Sequence, residues 1–178
     1  VQILPVLNQE NLKTAASKLR PYSAIELTGR DIYMREGCSV CHSQQIRSLI
    51  AEVERYGPYS RANEFVYDRP FLWGSKRTGP DLHRIGGKYS DDWHRAHLIN
   101  PRSVVSNSIM PAYPWLAEES AADTGNIVAK MEALRTLGHP YTDEQIAGAE
   151  SDLEGLTEMD ALIAYLQILG TMFSGEDT

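Results

Sequence analysis

The chain has 178 residues, of which 42% are hydrophobic and 23% charged. That balance fits one folded core with sizeable insertions and excludes disordered or collagen-like composition. A formal net charge of −7 argues against a nucleic-acid partner, because phosphate binding needs a clustered positive face, and it suits a basic docking partner instead. No run of about 18 apolar residues occurs, so no transmembrane helix is predicted in the chain as given, and no signal peptide is visible.

The opening stretch, Val1 to Leu7, is apolar but too short to span a bilayer, and fits a stub left where something upstream was removed. Leu27 to Gly37 reads as a helix with Gly29 and Tyr33 on one face. Glycine inside a helix costs about 1 kcal/mol relative to alanine, so Gly29 predicts a close helix crossing. Next come Cys38-Ser39-Val40-Cys41-His42, which hold the chain's two cysteines.

Ser43 to Arg77 is a long insertion rich in aromatic and basic residues, including Tyr56-Gly57-Pro58-Tyr59 and Tyr67 to Arg77. A loop of this length in a compact domain is usually functional, and its aromatic content points to a partner-contact surface. Thr78-Gly79-Pro80-Asp81-Leu82 follows as a turn. A helix from Ser90 to about Ile99 opens on Ser90-Asp91-Asp92 and stops before Pro101.

The stretch Ser106 to Pro114 then lays Met110 in a loop flanked by helix breakers. The second insertion, 117 to 154, is acidic and mostly helical, with Asn126 to Leu137 ending at Gly138 and a capping box at Thr142 to Gln145. It reads as a solvated flank. The last helix places apolar residues at 159, 162, 163, 166 and 169, with Thr157 as its cap and Gly170 as its end. Strand signals are few. The expected fold is all-α, a small domain whose N- and C-terminal helices cross.

Two cysteines three apart allow a redox pair, half of a zinc site or a haem attachment motif. Zinc wants a second paired ligand set, which the sequence lacks, and a redox pair expects a preceding buried strand rather than a helix. A haem reading gives every element a role: two thiols across one turn reach the two vinyl groups of one porphyrin edge, and His42 binds iron from the proximal side.

An electron-transfer haem fills both axial positions, so a second strong ligand is expected. Met34 lies too close to Cys38 to cross the ring, while Met131 and Met159 fall on apolar helical stripes and read as core. Met110 is the candidate, since Pro111 biases it toward an extended strap. His83, His94, His97 and His139 are the bis-histidine alternative, with His94 and His97 read as surface residues of a polar helix. A proximal histidine also needs an acceptor for its second ring N–H, and the Pro80 carbonyl is the candidate.

With these residues in place, the chain resembles the monohaem cytochrome c subunit, subunit II (FixO/CcoO-type), of cbb3-type haem-copper cytochrome c oxidases. The likeness runs from about Pro21 to about Tyr141 and more weakly through the last helix. Its most specific pieces are Gly29 to Tyr33, Glu36-Gly37-Cys38, Glu54 to Gly57, Arg69 to Leu82, Tyr89 to Leu98 and Met110 to Leu116.

The resemblance implies a class I cytochrome c-like domain over 21–178, with insertions at about 43–77 and 117–154, preceded by a segment 1–20 that follows a missing membrane anchor. It implies one haem c, thioether-linked to Cys38 and Cys41, with His42 and Met110 as axial ligands and Pro80 supporting the imidazole. It also implies a respiratory electron-transport role at the periplasmic face of the bacterial inner membrane, with electrons passing from a dihaem cytochrome subunit to the catalytic oxygen-reducing subunit. Oxygen chemistry would lie elsewhere.

Two other classes of function are weighed. A free-standing periplasmic shuttle would leave the aromatic surface of 43–77 exposed. A haem gas sensor or haem enzyme would need an open sixth position.

Overall fold

The structure, a computed structural model, describes residues 18–172. The expected N-terminal segment 1–20 lies almost wholly outside these residues. In chain order the helices are α1 (Ala24–Arg35), α2 (Cys38–Cys41), α3 (Ile50–Tyr56), α4 (Asp91–Ile99), α5 (Pro101–Val104), α6 (Ile127–Thr136), α7 (Asp143–Gly148) and α8 (Glu158–Ile168). Short 3-10 turns join several of them. Among the described residues there is no strand, and one isolated bridge links Ser120 to Thr157, so the fold is all-α as expected.

Two compact units are resolved. One comprises 21–38 and 87–168; the other is built on Ser39–Gly86 and continues at Leu169.

The unit 21–38 and 87–168 is organised by the packing of α1 on α8. At Gly29 the two backbones meet: a Cβ there would overlap the Ala161 carbonyl and lie 2.9 Å from Tyr165 Cβ. The glycine's helix cost is thus exchanged for a contact that a side chain would prevent. Around this crossing Leu27, Ile32, Tyr33, Met159, Leu162, Tyr165 and Leu166 are buried. Each such side chain contributes about 1.5–3 kcal/mol relative to exposure. Tyr165 takes edge-to-face contacts from Tyr22 and Tyr33, with ring centroids 5.6 and 5.5 Å apart.

Helix α1 begins three residues earlier than the sequence pattern suggested. The Glu26 carboxylate accepts from the Ser23 backbone N–H at 2.7 Å, which satisfies one orphan donor of the first turn and sets the true start. The C-terminal end falls at Arg35, whose guanidinium grips the buried Glu158 of α8 with both terminal nitrogens. Helix α8 is opened by a reciprocal pair: Thr157 N donates to the Asp160 carboxylate at 2.9 Å, and Asp160 N donates back to Thr157 Oγ1 at 3.2 Å.

The acidic segment 117–154 departs from the expected solvated flank. Its helices α6 and α7 start as the sequence indicates, capped by Asn126 and Thr142. Yet Ala121, Ile127, Met131, Tyr141, Ile146, Ala149 and Leu153 are buried, and the Tyr141 hydroxyl donates to the Tyr22 carbonyl at 2.8 Å. Apolar residues spaced along short helices belong to this core. The charge sits on the outer positions.

The Ser39–Gly86 unit has little regular structure and is held largely by side chains. The expected loop 43–77 contains α3 and a 3-10 turn at Ala62–Phe65. Its aromatic residues gather around buried Phe65, whose ring lies 5.3 Å from Trp73, 5.8 Å from Phe71 and 4.6 Å from His83. Much of the aromatic content foreseen as partner surface is therefore spent on this internal cluster.

Candidate functional site

Helix α2 is a single turn, and positions i and i+3 of a helix share one face. Cys38 and Cys41 stand on that face, half-buried and not joined in a disulfide, while Val40 between them is 59% exposed. His42 follows directly.

The imidazole of His42 is fixed from two directions within Ser39–Gly86. Its Nδ1 lies 2.8 Å from the Pro80 carbonyl oxygen. A carbonyl can only accept, so Nδ1 carries the proton and Nε2 presents its lone pair. Gly79 presses on the ring: a Cβ at that position would sit 2.7 Å from both ring nitrogens, so any larger residue would displace the imidazole. Burial lowers the affinity of this imidazole for a proton, against the opposing pull of the Pro80 bond and the Asp81 charge. A neutral ring with a directed Nε2 lone pair is the form that binds metal.

A polar web fixes the backbone around this ring. Gly79 N donates to the Cys41 carbonyl at 3.0 Å, and Leu82 N to the Ser43 carbonyl at 2.9 Å. The buried Asp81 carboxylate accepts from Ser43 Oγ at 2.5 Å, Gln45 N at 2.8 Å and His83 N at 2.8 Å. Arg77 adds donations to Ser43 Oγ at 2.8 Å, to the Gln45 carbonyl at 2.6 Å and to Glu52 at 2.7 Å. Arg77 and Arg47 together hold the Glu52 carboxyl down to about 2. The residues after the histidine are thus tied to the Gly-Pro turn by bonds spanning more than thirty positions of sequence.

Met110 belongs to the unit 87–168, in the loop between α5 and the 3-10 turn Pro114–Ala117. It is half-buried, and its N–H donates to Ser108 Oγ at 3.2 Å. Downstream the strap is anchored by Tyr113 N on the Leu98 carbonyl at 2.8 Å and by the fully buried Leu116.

The other histidines have positions of their own. His83 is buried, with Nδ1 2.5 Å from Ser60 Oγ and Nε2 3.4 Å from Glu64. His139 is buried and stacks on Tyr141. His97 stacks on Trp93 at 4.8 Å. His94, expected on the surface, is instead 4% exposed, because the rings of Tyr89 and Trp93 close over it edge-on at 6.0 and 5.5 Å. Burial lowers its proton affinity.

Among the described residues no three His, Cys, Asp or Glu side chains gather as a metal site. A donor set of two thiols on one helical face, plus an adjacent imidazole pressed by glycine and held by a proline carbonyl, is what a covalently attached haem requires. Sequence reading missed the supports Ser43, Glu52, Arg77 and His83. The Thr78–Leu82 turn was a signal for Asp81 alone.

An all-α fold built on crossing helices and carrying this motif has the architecture of the cytochrome c-like haem domains. More specifically, the family model described as cytochrome c oxidase, mono-heme subunit/FixO matches residues 1–157, and the chain belongs to that family. A comparison with curated proteins gives no match.

Proposed function

We propose that the chain relays single electrons within a cbb3-type cytochrome c oxidase, taking them from a dihaem cytochrome subunit and delivering them to the catalytic subunit that reduces oxygen. The family supports membership of an oxidase complex and a haem. The finer assignment rests on the chain's own residues. Cys38 and Cys41 would hold one haem c through thioether bonds, and His42 Nε2 and Met110 Sδ would be the donors to its iron. When bound, that group supplies an iron that cycles between ferric and ferrous states.

The observation that carries this reading is the bond from His42 Nδ1 to the Pro80 carbonyl, with Gly79 against the ring. The Pro80 carbonyl raises the basicity of the ligating nitrogen and fixes the plane of the ring. Met110 would supply a soft thioether donor, a ligand type that favours the reduced state and raises the potential, as suits a donor near the end of a respiratory chain. Oxygen reduction would take place in the catalytic subunit. Among the described residues no helix is long and apolar enough to cross a membrane. We place the domain at the periplasmic face of the bacterial inner membrane, held there through the complex and an N-terminal anchor.

Replacing the axial thioether tests the reading. Met110→Ala in the holoprotein should keep the pigment bound under denaturing conditions, lower the midpoint potential and let carbon monoxide bind the reduced form. An unchanged potential with no carbon monoxide binding removes Met110 from the ligand set.

A further inference from the structure

The acidic balance of the whole chain is reversed at one place in the Ser39–Gly86 unit. A cavity of about 490 Å³ is lined there by Arg47, Arg55 and Arg77 against one glutamate, Glu52. The surplus is positive, on a chain of net charge −7. Glu52 is shared between Arg47 and Arg77. Arg55 lies 5.0 Å from the Tyr56 ring and, among the described residues, pairs with no carboxylate. Two exposed guanidinium groups therefore face solvent with only part of one negative charge between them. An arginine's planar fork is well suited to binding a carboxylate.

The rim is not only cationic. Leu49 lines the cavity and is 53% exposed, and the next residue, Ile50 at the start of α3, is 79% exposed. Arginine beside large apolar side chains is the composition that protein interfaces favour, whereas a site for a small free anion has no use for bare leucine and isoleucine. Gly79 and Pro80, the residues that press on and bind the His42 ring, also line the cavity.

We propose that this surface docks an acidic segment of a partner protein. Its carboxylates would meet Arg47 and Arg55, and an adjoining apolar side chain would cover Leu49 and Ile50. The partner is another subunit of the oxidase, and in this respect the inference rests on the function proposed above. Charge complementarity of this kind sets register and speeds association, and the apolar shoulder slows dissociation. A segment seated here lies against the Pro80 wall, whose carbonyl is one hydrogen bond from the ligand imidazole, so the contact also offers a short route for an electron.

The test uses the detergent-solubilised oxidase complex reassembled with the holo-chain. The readout is the fraction of haem-bearing subunit that co-elutes with the catalytic subunit as salt is raised. Arg47→Glu with Arg55→Glu should weaken retention at low salt by at least about tenfold and remove most of its salt dependence. Leu49→Ser with Ile50→Ser breaks no ion pair and should weaken retention about threefold. Arg135→Glu, an exposed charge outside this unit, should change nothing.

Equal retention of the arginine variant and the unaltered chain overturns the proposal. So does a shift in the midpoint potential or visible spectrum of the isolated single variant Arg55→Glu, which would mean that this arginine serves the haem's own carboxylates. If the unaltered chain is itself not retained, the oxidase-subunit reading has failed, and the docking proposal falls with it.

Discussion

The two units of this chain are stabilised by different physics. In 21–38 and 87–168, two helices meet at a glycine and bury tyrosines, leucines and methionines, so area removed from water does most of the work. In Ser39–Gly86 there is little helix. Phe65 gathers an aromatic cluster, and the rest is held by buried carboxylates, Asp81, Glu64 and Glu52, each serving several donors. The first kind of order tolerates small shifts. The second fixes individual atoms, and it is the kind found around His42.

The sharpest way to break this contrast is Gly29→Val. The new side chain meets the Ala161 carbonyl, backbone that cannot yield, and the Tyr165 Cβ, and should destabilise by more than about 3 kcal/mol. Amide exchange at Ile32 should quicken by orders of magnitude, while Leu82, bonded to the Ser43 carbonyl, stays protected. Equal loss at both amides would mean that the units share one cooperative transition.

Asp81→Ala is the converse experiment. It leaves Ser43 Oγ, Gln45 N and His83 N without their acceptor, and unpaired buried donors cost about 1–3 kcal/mol each before relaxation. We expect a loss of about 2 kcal/mol in urea unfolding, with exchange now faster at Leu82 and unchanged at Ile32.

The smallest effect is one of pH. Burial, helped by the Arg84 charge, holds His83 well below its ordinary 6.5. The unfolded chain therefore takes up that proton first, and stability is complete above about pH 6.5 and declines as pH falls below it. Glu52 is depressed from 4.5 to about 2, chiefly by Arg77, so its contribution is present above pH 4.5 and is lost as pH falls toward 2. Glu52→Gln should flatten the lower of these two slopes and leave the upper one intact in acid unfolding followed by circular dichroism. A variant with the unaltered lower slope would show that Arg77 and Arg47 do not act through Glu52.

The sequence exposed these two regions unequally, and the reason is periodicity. Helical spacing at 159, 162, 163 and 166, with Gly29 in the facing helix, marks the crossing in the sequence itself. Ser90, Asn126 and Thr142 announced three helix starts. The start of α1 was missed because the Ser23–Glu26 pair precedes the apolar pattern. The burial of His94 was missed because a histidine among charged residues looks solvent-facing until Tyr89 and Trp93 are seen to fold over it.

The buried face of 117–154 was masked by its net acidity. The motif and its Gly-Pro turn could be read as chemistry. The web of Ser43, Glu52, Arg77, Asp81 and His83 could not, since side-chain contacts such as Ser43 with Asp81, far apart in sequence, leave no repeating signature.

The clamp on His42 also bears on speed. To turn about its own axis the ring would have to break the bond to Pro80 and move into Gly79, whose backbone is tied to Cys41. Its orientation is thus settled by the polypeptide alone. Were a metal held at Nε2, the chain would present it a ligand already oriented, with little left to rearrange.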